Sequence, residues 1–306
     1  MNTLHLVDPE LQPLLEAWPT VTLDAETLKV MRARQMPLPP VPETGVDLER
    51  VALSDAVTLH VYTPREAAAP TGCIYHIHGG GYVGGGASEL EFFLRPLADT
   101  LGCAIVSVDY RLAPETPHPG PVEDCYAGLA WTFAQAARLG IDPARIGVMG
   151  ESAGGGLAAA LALLARDRGD YALAFQHLTY PMIDDRTCTR DPHPTAGEFI
   201  WHAANNRFGW AALLGHEPGI DGVSPYAAAA RADDLTGLPP TYIMTGALDL
   251  FVDEDIAYAR RLIAAGVATE LHVHPGAFHG FDIFPAAAVA QRAQANRIDA
   301  LRRALA

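Results

Sequence analysis

The chain has 306 residues, of which 49% are hydrophobic, and its formal net charge is −15 at pH 7. This length is enough for one large α/β domain or for two modest ones. The acidic charge argues against nucleic acid or an anionic membrane as a partner, and we interpret it as a contribution to solubility.

The amino terminus places acidic residues where a secretion signal carries basic ones, and it lacks an unbroken apolar core. We therefore expect no secretion signal. No stretch approaches the roughly 18 apolar residues of a membrane span. The cysteines lack the spacing of a metal site, so we interpret them as reduced thiols of a cytoplasmic protein: Cys73, Cys103, Cys125 and Cys188.

Two helices are predicted near the amino terminus, over residues 8–17 and 24–36, with Asp24 as a candidate N-cap of the second. The proline-rich segment MPLPPVP (36–42) blocks further helix and predicts a linker. The first two strand-like segments come next, and we expect them to form a hairpin that turns at residues 55–56.

From residue 49 onwards, short apolar segments rich in β-branched and aromatic residues alternate with longer helical ones. The predicted strands span residues 49–54, 57–63, 72–78, 103–110, 145–150, 175–181, 241–246 and 269–275. The predicted helices span residues 88–101, 121–139, 152–167, 254–265 and 286–304. This alternation indicates a mainly parallel sheet with helices on both faces. A partly helical insertion from Asp184 to about Gly237 interrupts it and has the length of a lid.

Residues 78–86 read HGGGYVGGG, follow a predicted strand and fit two motifs at once. As G-x-G-x-x-G the loop would bind a dinucleotide, but such a site needs an acidic residue about 20 positions on, at a strand end. Asp99 has that spacing but lies in a predicted helix, whereas Asp109 ends a strand too far along the chain. As HGGG, the loop would instead form the oxyanion hole of an esterase.

The esterase interpretation requires a nucleophilic serine in a tight turn between a later strand and a helix. Gly150-Glu151-Ser152-Ala153-Gly154 is such a G-x-S-x-G turn. Glycines suit it because the serine is strained and the strand and helix must approach closely. Ser152 is therefore the candidate nucleophile, and the N–H of Ala153 at the helix N-terminus should point toward an anion beside it.

A serine hydroxyl needs a base to take its proton, and the base needs a carboxylate to orient it. In hydrolases with this elbow the chain order is serine, acid and histidine, each after a strand. Asp249 follows the strand TYIMTG and is the candidate acid, and His279 follows TELHVHP and is the candidate base. The candidate oxyanion donors are the backbone N–H groups of Gly80, Gly81 and Ala153.

Other histidines occur in pairs that share a strand face. We expect His78, which pairs with His76, to brace the glycine loop through hydrogen bonds. His272 and His274 have the alternation of a metal pair, but no third ligand is evident nearby. We therefore interpret both as structural and predict neither a metal site nor a cofactor.

Taken together, these motifs resemble the hormone-sensitive-lipase-like family of bacterial carboxylesterases from about residue 50 to the end of the chain. The segments AGGGLAAALALLARDRG and LTGLPPTYIMTGALDL are especially similar to aryl- and acetyl-esterases of the heroin-esterase type. The motifs are HGGG, DYRLAPE (109–115), GESAGG (150–155), LDLFVDE (248–254) and FHGF (278–281).

The resemblance implies an α/β-hydrolase fold, with a mostly parallel eight-stranded sheet flanked by helices and a helical cap. The cap would comprise residues 1–45 and 185–235, and the core residues 46–184 and 236–306. Dimers are common in the family, so a homodimer is also implied, although no interface can be read from the sequence.

Four further residues of these motifs have expected structural roles. Glu151 stands where the family has aspartate, which keeps a carboxylate. Leu250 replaces a proline after the acid, which would loosen the turn that aims Asp249. We interpret Arg111 and Glu115 as scaffold residues that pair with buried carboxylates such as Asp124 or Glu123.

The resemblance also implies the substrate, a short-chain ester up to roughly hexanoate with an aryl or otherwise bulky alcohol. Aromatic side chains under the cap would supply the apolar surface, although packing between cap and core would explain them equally well. The candidate substrate contacts are Tyr82, Val83, Phe199, Trp201, Phe208, Trp210 and Phe281.

Two other functions stay open beside a serine carboxylesterase. The same triad would serve an amidase or peptidase, because the sequence does not reveal how well a leaving nitrogen is protonated. A non-catalytic small-molecule receptor is the third reading, since the family includes a plant hormone receptor without the catalytic histidine. His279 is present here, which disfavours that reading.

Overall fold

A computed structural model describes residues 2–18, 21–33, 39–66 and 70–306. Its sheet has eight strands in the order β1-β2-β4-β3-β5-β6-β7-β8. β2 runs antiparallel to both β1 and β4, and the remaining neighbours are parallel, which confirms the predicted mostly parallel sheet. The strands are β1 (Val46–Ala52), β2 (Thr58–Pro64), β3 (Thr71–Ile77), β4 (Ala104–Asp109), β5 (Ile141–Glu151), β6 (Gln176–Thr179), β7 (Thr241–Gly246) and β8 (Thr269–His274).

The helices lie largely where the sequence predicts them. Asp24 caps the second one, because its carboxylate accepts the N–H groups of Glu26 (2.9 Å) and Thr27 (2.8 Å). The end of that predicted helix and the start of the predicted linker fall outside the described residues. The helices are α1 (Gln12–Ala17), α2 (Ala25–Ala33), α3 (Glu91–Leu101), α4 (Gly120–Ala134), α5 (Ala136–Leu139), α6 (Ala153–Arg168), α7 (Ala203–Leu214), α8 (Val252–Ala264) and α9 (Ala288–Leu305).

Two strands begin earlier than predicted because pairing, and not composition, sets their ends. β1 starts three residues early, where Val46 pairs with Pro64 and is 1% exposed. Strand propensity does not predict this start, because the segment VDLERVA contains several charged residues. β5 likewise extends back to Ile141, which pairs with Thr71.

The helix that follows the nucleophile is buried along its first 13 residues, from Ala153 to Ala165. Small side chains permit this burial, since glycine and alanine let α6 approach the sheet closely. Ser152 therefore lies between a central strand and a central helix. None of the helices described here is long and apolar enough to cross a membrane.

The amino-terminal segment packs against the insertion between β6 and β7. The Thr3 hydroxyl and N–H donate to the Glu198 carboxylate (2.6 and 2.8 Å), and the Leu23 N–H donates to the Asn205 side-chain oxygen (2.8 Å). A cap built from two chain segments requires contacts of this kind. Its boundaries at residues 1–45 and 185–235 stay a prediction.

His177 gives the fold a testable dependence on pH. Its ring is buried against Tyr242 (centroids 4.3 Å apart), and neither ring nitrogen has a hydrogen-bond partner among the described residues. Burial, together with the positive charge of Arg297, lowers the pKa of His177 well below its usual value. The ring is therefore neutral in the folded protein and binds a proton on unfolding.

We expect the His177→Phe variant to lose less stability than the wild-type protein when the pH becomes mildly acidic. Above the unfolded pKa of about 6.5, His177 does not reduce the free energy of unfolding. Below that pH the free energy of unfolding falls, because the unfolded state binds a proton that the folded state does not. Wild type should lose up to about 1.4 kcal/mol per pH unit more than the variant in that range. Urea unfolding at neutral and mildly acidic pH measures this difference, and parallel stability curves would contradict it.

Candidate active site

Ser152 lies in the turn between β5 and α6. Its backbone conformation (φ 56°, ψ −122°) is one that residues other than glycine rarely adopt. Its N–H donates to the carbonyl oxygen of Thr179 at 2.9 Å, which fixes the turn. A Cβ on Gly150 would overlap the backbone of Gly154, and a Cβ on Gly154 would overlap the carbonyl of Ile77. The glycines of G-x-S-x-G are thus required by close approach, as the sequence predicts.

The serine, histidine and aspartate candidates meet in one hydrogen-bonded chain. The Ser152 hydroxyl donates to Nε2 of His279 at 2.9 Å, and the Nδ1–H of His279 donates to the Asp249 carboxylate at 2.8 Å. Asp249 is fully buried and His279 is 7% exposed. In such a dry setting the carboxylate orients the ring and stabilises it when it is protonated.

The acid turn is well fixed without the proline whose absence the sequence analysis flagged. The second carboxylate oxygen of Asp249 accepts the N–H of Phe251 at 3.0 Å, and the Asp249 N–H donates to Gly246 at 3.1 Å. The Phe251 ring meets the His279 ring edge-on, with centroids 5.2 Å apart. These contacts hold the turn in the absence of the proline, and the loosening stays a prediction.

Three backbone N–H groups near Ser152 are free to bind an oxyanion. Gly80 and Gly81 have positive φ angles of 117° and 62°, which turn the loop. Neither of their N–H groups has a hydrogen-bond acceptor among the described residues, nor has that of Ala153, the first residue of α6. These are the donors that the sequence predicts.

His78 and Arg32 hold the glycine loop in place. The His78 Nδ1–H donates to the Gly79 carbonyl (2.8 Å), as expected of a brace, and burial lowers the pKa of His78 to about 4. Arg32 of α2 donates to the carbonyl oxygens of Val83 (2.7 Å) and Ala113 (2.6 Å). Sequence reasoning missed Arg32, because nothing local shows where α2 docks.

Glu151 belongs to a buried network behind the nucleophile. The Nε2–H of His76 donates to Glu151 at 2.9 Å, and the Ser107 hydroxyl donates to Nδ1 of His76 at 2.8 Å. Burial alone would raise the pKa of Glu151, but His76 and Arg297 together lower it below its usual value. The carboxylate that replaces the family's aspartate is therefore kept charged and paired.

A second buried network supports the histidine. Arg297 of α9 donates to the Asp282 carboxylate at 2.6 Å, and the hydroxyl of Tyr180 donates to the other oxygen of Asp282 at 2.7 Å. The Tyr180 ring lies against the His279 ring, with centroids 4.6 Å apart. Sequence reasoning missed this network as well, because its members lie far apart in the chain.

The predicted substrate contacts divide into two groups. Tyr82, Trp210 and Phe281 are fully buried and support the site from behind. The Tyr82 hydroxyl donates to Met182 at 2.6 Å and its ring packs on Trp210, while Phe281 packs on His274.

The remaining predicted contacts lie in or near the cap. Val83 is buried in a small cluster that Trp201 and Phe208 also contact. Phe199 packs on Phe278, beside the histidine, with ring centroids 5.9 Å apart. Trp201 lies over the site itself, because a Cβ on Gly81 would overlap its indole ring.

Both charged residues of DYRLAPE form scaffold ion pairs, but the predicted partner is right only for Arg111 and wrong for Glu115. Arg111 makes a bidentate pair with Asp124 (2.8 and 2.7 Å). Glu115 does not pair with a carboxylate, since like charges repel; it pairs with Arg32 at 2.7 Å. Glu123 pairs with Arg168 at 2.6 Å.

The histidines of β8 contact protein groups. Nε2 of His272 lies 2.7 Å from the carboxylate of Glu270, while His274 is buried against Phe281. Burial lowers the pKa of His274 to about 4. Both contacts are those of structural histidines.

Gly80→Ala is expected to disable the oxyanion loop. The added methyl group would overlap the carbonyl oxygen of Gly84, in a backbone region that alanine disfavours. Moving one donor should lower kcat by about 10²–10³-fold. Gly169→Ala is the control, because Gly169 also has positive φ (74°) but no atom within 4 Å of the added Cβ. Steady-state kinetics on both variants measures the difference, and equal activities would contradict this reading.

Comparison with known proteins identifies the family of this chain. A family model described as an alpha/beta hydrolase fold matches residues 74–283. Carboxylesterase NlhH of Mycobacterium tuberculosis is 37% identical over 315 residues, which cover 98% of this chain and 96% of that protein. The arylesterase of Saccharolobus solfataricus is 32% identical over 251 residues, 81% of this chain and 80% of that protein.

Two solved structures are similar to this chain over nearly its whole length. The bacterial heroin esterase superposes with a TM-score of 0.90 and 42% identity, covering 100% of both chains. The esterase LipW of Mycobacterium marinum gives a TM-score of 0.84 and 32% identity over 99% of this chain and 97% of that one. The chain therefore belongs to the α/β-hydrolase family, in the hormone-sensitive-lipase-like group of carboxylesterases.

Proposed function

We propose that this carboxylic ester hydrolase works through an acyl-enzyme formed on Ser152. The hydrogen-bonded chain from Ser152 through His279 to Asp249 is the observation that carries the proposal. His279 takes the serine proton while the serine oxygen attacks the carbonyl carbon of the ester. The negative charge that develops on the carbonyl oxygen is held by the N–H groups of Gly80, Gly81 and Ala153.

Collapse of this intermediate breaks the ester bond. The leaving alcohol takes the proton from His279, and the acyl group stays on Ser152. A water molecule then gives a proton to His279 and attacks the acyl carbon. The carboxylic acid leaves, and Ser152 regains its proton. No step requires a metal or a cofactor.

The proposed substrates are esters of short-chain acids with aryl or other bulky alcohols. The support for this class is the likeness to proteins named carboxylesterase, arylesterase and heroin esterase. Initial rates on p-nitrophenyl esters from acetate to octanoate test the acyl length. A parallel assay with p-nitroacetanilide separates an esterase from an amidase, since both react through the same triad.

Covalent labelling tests the nucleophile directly. We expect a p-nitrophenyl phosphonate to add once to the wild-type protein and not to Ser152→Ala, as read by intact-protein mass. Ser54→Ala, at an exposed serine of the β1–β2 turn, is the matched control and should still be labelled. A wild-type protein that stays unlabelled would favour the receptor-like reading.

A further inference from the structure

Arg32, in the last turn of α2, donates a hydrogen bond from each of its three guanidinium nitrogens. Its Nε–H donates to the carbonyl oxygen of Val83 at 2.7 Å, and its Nη2–H donates to that of Ala113 at 2.6 Å. Its Nη1–H donates to the Glu115 carboxylate at 2.7 Å. Because the guanidinium is planar and always charged, these bonds fix its orientation and bring a positive charge to the glycine loop.

The Val83 carbonyl that Arg32 binds belongs to a peptide unit whose N–H contacts the oxyanion loop. This unit joins Val83 to Gly84, and the Gly84 N–H donates to the carbonyl oxygen of Gly80 at 2.9 Å. In a trans peptide the C=O and the N–H point in opposite directions. Arg32 therefore binds one end of the unit, while the other end binds Gly80.

The Gly80 carbonyl belongs in turn to the peptide unit that carries the N–H of Gly81, a candidate oxyanion donor. A peptide unit is planar, so the direction of the Gly80 carbonyl sets the direction of the Gly81 N–H. Glycine is conformationally permissive, so contacts from outside the loop are needed to hold this N–H in one direction. Two planar peptide units thus connect the Arg32 guanidinium to the oxyanion hole.

A neighbouring set of contacts supports the same Gly80 carbonyl. The Ala113 N–H donates to the Tyr82 carbonyl oxygen at 3.0 Å. The Val83 N–H lies in the same peptide unit as that carbonyl and donates to the Gly80 carbonyl oxygen at 3.1 Å. Arg32 binds Ala113 through its carbonyl oxygen. Arg32 therefore supports both N–H groups that bind the Gly80 carbonyl, one through Val83 and the other through Ala113.

The charge of Arg32 acts along the same path. Gly81, Val83 and Gly84 are buried, and hydrogen bonds in series polarise one another in such surroundings. A cation at the carbonyl end of the path makes the N–H at its other end a stronger donor. The Gly80 N–H differs, because its own peptide unit accepts a hydrogen bond from His78, and burial keeps that ring neutral by lowering its pKa to about 4.

We propose that Arg32 is a positioning residue for the oxyanion hole, which orients the N–H of Gly81 toward the oxyanion and strengthens it as a donor. The inference rests on the proposed function and adds to it a residue that lies outside the triad and acts through backbone groups. The carbonyl oxygen of the ester gains its negative charge only as the serine attacks. Arg32 therefore affects kcat more than KM.

Arg32→Met removes the charge and the three hydrogen bonds, and it tests the proposal with two measurements. With p-nitrophenyl acetate, kcat should fall by about tenfold or more, while KM should change by less than about twofold. The second measurement is the inhibition constant of an aryl trifluoromethyl ketone. The Ser152 oxygen bonds to the ketone carbon, the serine proton passes to His279, and the ketone oxygen becomes an oxyanion. This inhibition constant should rise by about the factor by which kcat falls.

Arg166→Met is the matched control. The Arg166 side chain is 23% exposed, against 28% for Arg32, and it also donates to two carbonyl oxygens, those of Asp234 (3.0 Å) and Thr236 (2.9 Å). Because these carbonyls do not belong to the glycine loop, kcat and the inhibition constant should stay within about twofold of the wild-type values. Arg32→Lys keeps the charge and should recover part of both losses.

Glu115→Gln separates the two carbonyl contacts of Arg32 from its exposed ion pair, and it should lower kcat by less than about threefold. Equal losses in Glu115→Gln and Arg32→Met would overturn the inference, because docking of α2 by the ion pair would then explain both. Wild-type kcat and inhibition constant in Arg32→Met, or a loss confined to KM, would overturn it as well. A wild-type protein that neither hydrolyses the ester nor binds the ketone would instead overturn the proposed function.

Discussion

Ser152→Ala should lower kcat by about 10⁶-fold, the largest effect expected of any single substitution in this protein. In the proposed mechanism the serine oxygen is the atom that forms the acyl bond, so its removal abolishes that step. Asp249→Asn should lower kcat by about 10⁴-fold, because an amide favours the wrong tautomer of His279. Pre-steady-state and steady-state assays with p-nitrophenyl acetate measure both effects.

In the proposed mechanism the three residues act as a unit, so the two losses should not add. The double variant Ser152→Ala/Asp249→Asn should be no slower than Ser152→Ala alone, because the carboxylate has no further part once the nucleophile is gone. The activity that remains should come from the oxyanion donors and from substrate binding. If kcat of the double variant falls by the product of the two single reductions, the two residues do not act through one shared proton relay.

The hydrogen-bonded chain of Ser152, His279 and Asp249 could be predicted because its parts have local signals. The turn at Ser152 needs glycines at positions 150 and 154, because other backbone atoms approach them too closely for a Cβ. The G-x-S-x-G motif shows these glycines directly. The acid and base follow in a fixed order after predicted strands, which is enough to select Asp249 and His279. The order of the strands in the sheet then brings all three to one edge.

His78, which lies next to the loop that it braces, could be predicted, whereas the supports that depend on docking could not. Arg32 and Glu115 are 83 positions apart, and only the placement of α2 on the glycine loop brings them together. Aromatic residues were ambiguous for a related reason. Tyr82 and Phe281 flank catalytic motifs, but a large ring serves equally well as core packing, and both are fully buried.

Ile200 shows the opposite limit of sequence reasoning, because its backbone has a φ of 62° and the Trp201 N–H donates to the carbonyl oxygen of Phe199 at 2.7 Å across it. Local propensity argues against a β-branched residue at positive φ, so no pattern predicts it. Ile200 packs against one hydrophobic cluster, whereas Trp201 packs against two others, so contacts distant in the chain accompany the conformation. Violations of local preference of this kind are expected at functional sites.

Arg297→Met should destabilise the protein by about 3–5 kcal/mol, the largest stability loss expected here. The guanidinium and the Asp282 carboxylate are 3% and 5% exposed, so methionine leaves an unpaired charge in the core. Arg303→Met on the same helix is the control. Arg303 is 54% exposed and pairs with Glu270, so its loss should cost less than about 1 kcal/mol. Urea unfolding of both variants measures the two losses.

The double variant Arg297→Met/Asp282→Asn distinguishes two causes of the stability loss, the unpaired Asp282 carboxylate and the lost packing of the arginine side chain. Asparagine removes the unpaired charge and still offers an oxygen to the Tyr180 hydroxyl, so most of the stability should return. If the double variant is no more stable than Arg297→Met, the loss comes from packing of the arginine stem instead. Because Tyr180 lies against the His279 ring, kcat should follow the same pattern at temperatures where every variant is folded. Full activity in Arg297→Met under those conditions would mean that the histidine is positioned by Asp249 and its neighbouring rings alone.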